Sequence, residues 1–269
     1  ALSGDGGDEI FGGYNRYKLL SKIRSIDKLT PTVIKKTILK SYNLFSDNFW
    51  DSFGKKININ QGSDKMRKIM TILDANNDID SFKKILLNYE NSKILLSDYP
   101  STDLIHENID SLRKDISIEQ IMMSTDQKNY LTDDILVKLD RSSMASSLET
   151  RVPFLDRNLV EFAAGIPINL KVDKKFNKII LRKILKKYLP KNVVDKKKSG
   201  FSAPIDQWLR GPLREWSEDL IYSNDSKKNR FFKHKNIISL WKLHLSKDKN
   251  VYRPLWSILI FLSWLKYNS

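Results

Sequence analysis

Strand-like alternation is rare in this chain of 269 residues, and apolar residues recur instead at the three- and four-residue spacing of helices. Glycine and proline, the residues that punctuate turns, number only 10 and 8. The pattern predicts a mostly α fold. Apolar residues make up 41% of the chain, with 12 Phe, 10 Tyr and 6 Trp, which is too much for a disordered segment. The length suffices to bury a substantial core in one large domain or two small ones. No internal repeat or low-complexity block stands out.

Local signals place the elements. A Gly-rich turn leads into a helix over residues 9–24. Pro31 can open a helix that Val33, Ile34, Ile38 and Leu39 continue. Residues 46–62, rich in Asn, Asp and Gly, read as loop. Residues 63–75 and 79–97 read as helices, with a break at Pro100 and Ser101. A helix then reaches Asn129, and Thr132 can cap the next one, with Asp133 and Asp134 in its first turn against the positive dipole end. Pro153 holds Val152 out of helical geometry, and Asp156 can cap a helix that stops at Pro167. A helix from Lys178 to Leu189 ends at Pro190, and residues 191–204 read as a basic loop. Three helices near 212–222, 234–245 and 253–267 close the chain, while residues 25–120 offer scaffold and no chemistry.

Composition narrows the chemistry. There are no cysteines, which excludes disulfides, thiolate zinc sites and a cysteine nucleophile. None of His106, His234 and His244 has a metal-ligand spacing from another. The net charge of +15 suits an anionic partner, yet no nucleic-acid motif accompanies it, so scattered surface lysines are the simpler reading. The longest apolar run, Leu255 to Leu265, is too short to span a bilayer and reads as a buried helix. No signal peptide is evident, so a cytoplasmic protein is expected. Ala1-Leu2-Ser3-Gly4 reads as the end of a buried strand without a preceding neighbour, so the chain is expected to be cut from something longer.

Four constellations can carry chemistry. The first is Ser3-Gly4-Asp5-Gly6-Gly7-Asp8-Glu9. Its glycines allow a tight turn, its successive N–H groups can form an anion nest, and a helix follows. The acids fit a phosphate site once Mg²⁺ is added, because Mg²⁺ takes one or two carboxylates and completes its shell with phosphate and water. On spacing alone a plain Asp-Gly turn is the simpler reading. The second runs from Leu131 to Arg141 and from Leu148 to Asp156; it contains an i,i+4 pair, Asp134 and Lys138, that a solvated helix face also explains. The third is Lys178-Ile179-Ile180-Leu181-Arg182. A lysine in a first helical turn opposes the macrodipole at a cost of roughly some tenths of a kcal/mol, which hints at a task, although one lysine among many explains it too. The fourth, Lys196-Lys197-Lys198-Ser199-Gly200-Phe201 with Pro204, could be a solvated turn.

Together these strings resemble glutamine-dependent asparagine synthetases and the related beta-lactam synthetase. Leu2 to Tyr14 is similar to the family's LSGxGxDExFGGY loop, which lies beside the ATP phosphates. The family usually has Glu where this chain has Asp5. The string Leu148-Glu149-Thr150-Arg151-Val152-Pro153-Phe154-Leu155-Asp156 is nearly diagnostic of the same family, Lys178 to Arg182 matches its K-x-x-L-R, and Lys198, Gly200, Phe201 and Pro204 match its K-x-G-F-x-x-P. Where members often carry Arg-Pro, this chain has Lys196-Lys197, a change that bears on loop stiffness more than chemistry.

The resemblance implies the C-terminal, helical portion of an α/β adenine nucleotide α-hydrolase-like domain (the PP-loop ATP pyrophosphatase type), as one partial domain over residues 1–269. It implies ATP and Mg²⁺ as cofactors. Lys178 would be the catalytic cation of adenylation, Asp8 the Mg²⁺ ligand and Asp5 a polar or basic group near the reacting centre. Ser3, Gly4, Asp5, Gly6 and Lys198 would lie against the nucleotide, with Asp134 and Arg141 as candidates for the acceptor. The implied reaction adenylates aspartate and amidates it with ammonia from glutamine. The family's first phosphate loop and its glutaminase domain, with an N-terminal Cys, are not in the chain and are expected upstream as a partner portion. Two rivals stand beside this reading: amidation of another carboxylate, such as a sugar acid, and a non-catalytic basic binding module.

Overall fold

A computed structural model describes residues 1–27, 29–42, 44–56, 62–86, 95–96, 116–173, 175–195 and 203–268. In chain order the helices are α1 (Gly7–Phe11), α2 (Asn15–Asp27), α3 (Thr32–Tyr42), α4 (Asp47–Lys56), α5 (Gly62–Leu73), α6 (Asp78–Leu86), α7 (Ile118–Asp126), α8 (Leu136–Met144), α9 (Arg157–Ala164), α10 (Ile168–Lys171), α11 (Ile179–Leu185), α12 (Lys191–Val194), α13 (Ile205–Arg210), α14 (Arg214–Tyr222), α15 (Asn224–Lys228), α16 (His234–Leu245) and α17 (Tyr252–Asn268). A π-helical segment, Gln127–Ile135, joins α7 to α8, and Pro153–Leu155 is a 3₁₀ turn. Among the described residues there is no strand, only the parallel bridge Leu2–Arg151 and the antiparallel bridge Leu96–Phe232. The chain is mostly α, as its spacing predicts.

The chain packs as two compact units. The first is drawn from the described residues within 1–30, 75–83 and 103–199, the second from those within 31–74, 84–102 and 200–269. In the first, α1 buries Ile10 and Phe11 against Ala163 and Ile166, with Phe154, Leu155, Ile180 and Leu181 packed around them. Ser117 starts α7 with a capping box: its hydroxyl accepts from Gln120 N, and Gln120 Oε1 accepts from Ser117 N. Asp156 caps α9 by accepting from Leu159 N at 3.1 Å, as its position before the apolar run predicts. Val152 stands out of helical geometry before Pro153 at φ −119°, ψ 88°. In the second unit, α17 threads the core: Leu255 and Leu259 have no exposed surface and pack with Trp241, Leu240, Leu220 and Leu209. The closing apolar run is thus a buried helix.

Several expectations are corrected. The helix expected over 9–24 is two helices, because Gly12 ends α1 in the left-handed region at φ 73°. The loop expected over 46–62 contains α4. Its Asn, Asp and Gly content masked Phe49, Trp50 and Phe53, which recur at helical spacing and stack with Phe45 and Tyr42. Buried Asp47 opens α4 by accepting from Arg67 Nη2 and Asn250 N, each at 2.7 Å. Thr132 caps nothing: the wide π turn carries the helix straight through, and the Thr132 hydroxyl bonds back to Lys128 O at 2.8 Å. Asp133 and Asp134 therefore face no helix end. No ion pair joins Asp134 to Lys138, because the π segment shifts the register between them. Lys191–Val194, expected in a loop, is a short helix. The end of the helix expected over 79–97, the break at Pro100 and half of the basic loop lie outside the described residues.

His244, fully buried, has a pKa lowered from 6.5 to about 4 by burial and by the neighbouring Arg210. Arg210 Nη2 lies 3.3 Å from His244 Nδ1. A guanidinium only donates, so Nδ1 is the acceptor and the proton sits on Nε2. The folded state thus resists protonation that the unfolded chain accepts. Stability from this group is present above pH 6.5 and is lost as pH falls towards 4, by on the order of 3 kcal/mol. Urea unfolding at pH 7 and pH 5 is expected to show roughly half of this loss, about 2 kcal/mol, in the parent chain and a smaller one in His244→Gln. In the same assay Leu259→Ala, in the core of the second unit, is expected to cost about 2–5 kcal/mol, while Ile260→Ala, on the exposed side of α17, changes stability by less than about 0.5 kcal/mol.

Candidate functional site

The first unit brings three of the four sequence strings to one place. Ser3 N donates to Arg151 O and Arg151 N to Ala1 O, both at 2.8 Å, so the two strings meet as a short parallel pairing. Phe154 and Leu155 then pack under the first loop: the Phe154 ring meets Phe11 at 5.8 Å, and Leu155 lies against Gly6. The Leu148–Asp156 string thus supports the first loop through backbone and apolar packing.

In that loop the Ser3 hydroxyl donates to Asp5 Oδ2, and Asp5 N donates back to Ser3 Oγ at 3.3 Å. Gly4 follows in an open turn, with nothing near the place of a side chain, and Gly6 precedes α1 at φ 77°. Asp8 sits in the first turn of α1. Its Oδ1 is 2.8 Å from Lys178 Nζ, across 170 positions of sequence, with the two side chains 25% and 30% exposed. Gly13 makes this pair possible. The chain folds back after α1, with Gly13 N donating to Asp8 O at 2.7 Å. A Cβ on Gly13 would stand 1.6 Å from Asp8 Oδ1 and 2.4 Å from Lys178 Cε.

Lys178 is not in a first helical turn as expected. It is the residue just before α11, in the left-handed region at φ 53°, ψ 43°. For a residue with a Cβ this costs roughly 1–3 kcal/mol. A partly exposed ion pair such as this returns about 0.2–1 kcal/mol. The balance runs against stability, so the pair is held together by its surroundings and not for its own energy. Strain of that kind concentrates where a group must be aimed.

Around the pair lies a network that single strings did not reveal. Glu9 is 1% exposed; it accepts from the Tyr14 hydroxyl, and its backbone O accepts from Gln127 Nε2 at 3.0 Å. Asp126, equally buried, accepts from Arg16 at 2.6 Å and from the Tyr17 hydroxyl at 2.6 Å. The Arg16 guanidinium stacks 4.6 Å from the Tyr14 ring and 5.4 Å from that of Tyr130. Burial and the Glu9 bond push the Tyr14 phenol up, and burial and Asp126 do the same to Tyr17. Burial alone would lower the pKa of Arg16, but Asp126 outweighs it and Arg16 stays charged. Glu9 and Tyr14 stand in the motif string and could have been singled out by it; Asp126 carries no sequence signal.

The remaining candidates stand elsewhere. Asp134, on the π segment, and Arg141, on α8, are exposed, and Asp134 acts on Tyr130 by adding to the rise that burial gives its phenol. Lys198 lies outside the described residues. No three acidic or histidine side chains converge as a metal cage among the described residues. One partly exposed carboxylate beside a Gly-rich turn, as at Asp8, could hold a Mg²⁺ that a bound phosphate would share.

The whole of this arrangement falls within one family match. The model of the asparagine synthase family matches residues 1–266 and so spans both units. The chain is 31% identical, over 268 residues, to asparagine synthetase 1 (glutamine-hydrolysing) of Bacillus subtilis, covering 100% of this chain and 40% of that protein. It is 28% identical to a putative glutamine-hydrolysing asparagine synthetase of Mycobacterium tuberculosis, over 98% of this chain and 38% of that one. It is 24% identical to the amidase chyE of Penicillium rubens, over 82% of this chain and 34% of that one. The chain thus spans about two fifths of the length of its curated relatives. No solved structure matches it. No described helix is long and apolar enough to cross a membrane. With the match running from the first loop to the last helix, the chain belongs to the asparagine synthase family.

Proposed function

We propose that these residues form part of an ATP-dependent synthetase that amidates aspartate to asparagine. A carboxylate oxygen of aspartate attacks the α-phosphorus of ATP, the bond to the β-phosphate oxygen breaks, and pyrophosphate leaves. Ammonia then attacks the acyl carbon, the carbon–oxygen bond to AMP breaks, and the nitrogen loses a proton. The observation that carries the reading is Lys178 Nζ held 2.8 Å from Asp8 Oδ1 beside the Gly-rich loop.

Each group has a role that its chemistry suits. The Lys178 ammonium stabilises the charge that builds on the α-phosphoryl group and on departing pyrophosphate, where a preplaced cation contributes most. Asp8 would hold Mg²⁺, which neutralises phosphate charge when bound. Asp5, braced by Ser3, serves as a polar or basic group near the reacting atoms, while the exposed backbone of Gly4 would lie against the nucleotide, with Gly6 buried behind it on Leu155. Lys198 would add charge near pyrophosphate, and Asp134 and Arg141, exposed on the π segment and on α8, are the candidates to meet the acceptor. The glutaminase and first phosphate loop of such an enzyme would lie in the part of the relatives' length that this chain does not span. ATP and free aspartate put the reaction in the cytoplasm.

A second reading keeps the machinery and changes the acceptor to another carboxylate, such as a sugar acid. The likeness to proteins named amidases supports it, since adenylation motifs do not select the acceptor.

The test is pyrophosphate release by the full-length protein that contains these residues, with Mg-ATP, ammonia and aspartate. Release is expected to require aspartate and to fall at least about 100-fold in Lys178→Ala. Release with other carboxylates and not aspartate would move the assignment to the second reading, and none with any carboxylate would overturn both. Gly13→Ala is expected to lower the rate about as far, because its Cβ displaces Asp8 and Lys178. An unimpaired Gly13→Ala would contradict the role given to the pair.

A further inference from the structure

We propose that Asn177 is a positioning residue whose task is to hold Lys178 against Asp8; this rests on the reading of Lys178 as the adenylation cation. Asn177 is 6% exposed. Its Nδ2 donates to Gly13 O at 2.8 Å and to Asn15 Oδ1 at 3.2 Å. One side chain therefore ties the turn before α11 to the turn between α1 and α2, the two turns that carry Lys178 and shield Asp8. Gly13, the residue it grips, is the one whose missing Cβ lets the pair meet.

The backbone completes the clamp. Asn177 O accepts from Arg182 Nε at 2.9 Å, and Lys178 O accepts from Arg182 N at 2.9 Å. Arg182 is anchored in turn on Val194 O and on Asp195. Residue 177 is thus fixed on its side-chain and main-chain faces, and the left-handed Lys178 that follows has little freedom to relax.

A purely structural staple does not account for this residue. Among the described residues the buried Asn177 Oδ1 atom has no hydrogen-bond partner. A buried acceptor left unmade is a standing cost, and an apolar side chain of the same size would remove it. What Leu could not do is grip Gly13 O. The asparagine is explained by where it puts its neighbour.

The experiment compares the full-length protein with its Asn177→Leu and Asn177→Asp variants. Asn177→Asp keeps the shape and sets a carboxylate oxygen against Gly13 O. Every lysine is acylated with a water-soluble succinimidyl acetate, and the modification rate of Lys178 is read by mass spectrometry against all other lysines. The clamp predicts that Lys178 alone gains reactivity severalfold in either variant. It also predicts a kcat at least about tenfold lower with KM for ATP within about twofold, as expected for a misplaced group. A Lys178 rate unchanged relative to the other lysines would overturn the proposal, and so would a uniform rise of all of them in both variants. Labelling separates this inference from the one beneath it. A Lys178-specific rise in a protein that releases no pyrophosphate supports the clamp and sinks the adenylation reading. A parent enzyme that releases pyrophosphate, with variants that label as the parent does, sinks the clamp alone.

Discussion

The site depends on one contact, between an ammonium and a carboxylate brought together from opposite ends of the first unit. The Asp8–Lys178 pair is too exposed to contribute much stability, and Lys178 adopts a backbone conformation that costs more than the pair returns. The surroundings enforce it. A glycine at 13 leaves the room, Phe154 and Leu155 seat the loop from below, and Asn177 and Arg182 hold the turn. The Leu2–Arg151 pairing joins the first loop to the string that supports it.

The second tier is the buried polar layer beside α1. Glu9 and Asp126 are nearly inaccessible, yet each is held by hydrogen bonds, with Asp126 neutralised by Arg16. Buried acids without such partners would take up protons or open the fold. The layer keeps the α1–α2 turn in one place, which the geometry at Gly13 requires. The second unit has its own core along α17 and stands energetically on apolar packing around Trp241, Leu255 and Leu259.

The sequence was informative where chemistry fixes a local pattern. The Gly-rich string, the Lys178 string and the closing helices could be placed because turn residues and helical spacing are local signals. The α4 helix was not legible, since its Asn and Asp content spoke for a loop while tertiary stacking of Phe49, Trp50 and Phe53 decided the outcome. Thr132 was misread because a π segment passes through without an end to cap. Asn177 carries no local signal because its side chain bonds to Gly13 O and Asn15 Oδ1, more than 160 positions away. Long-range contacts of that kind leave no mark on periodicity.

The central claim is that the carboxylate substrate attacks the α-phosphorus of ATP. The direct measurement is oxygen transfer from aspartate labelled with heavy oxygen in its side-chain carboxylate, followed by mass spectrometry of the products. The account predicts one labelled oxygen in AMP and none in pyrophosphate. Label in pyrophosphate or phosphate, or unlabelled AMP alongside amide product, would contradict it.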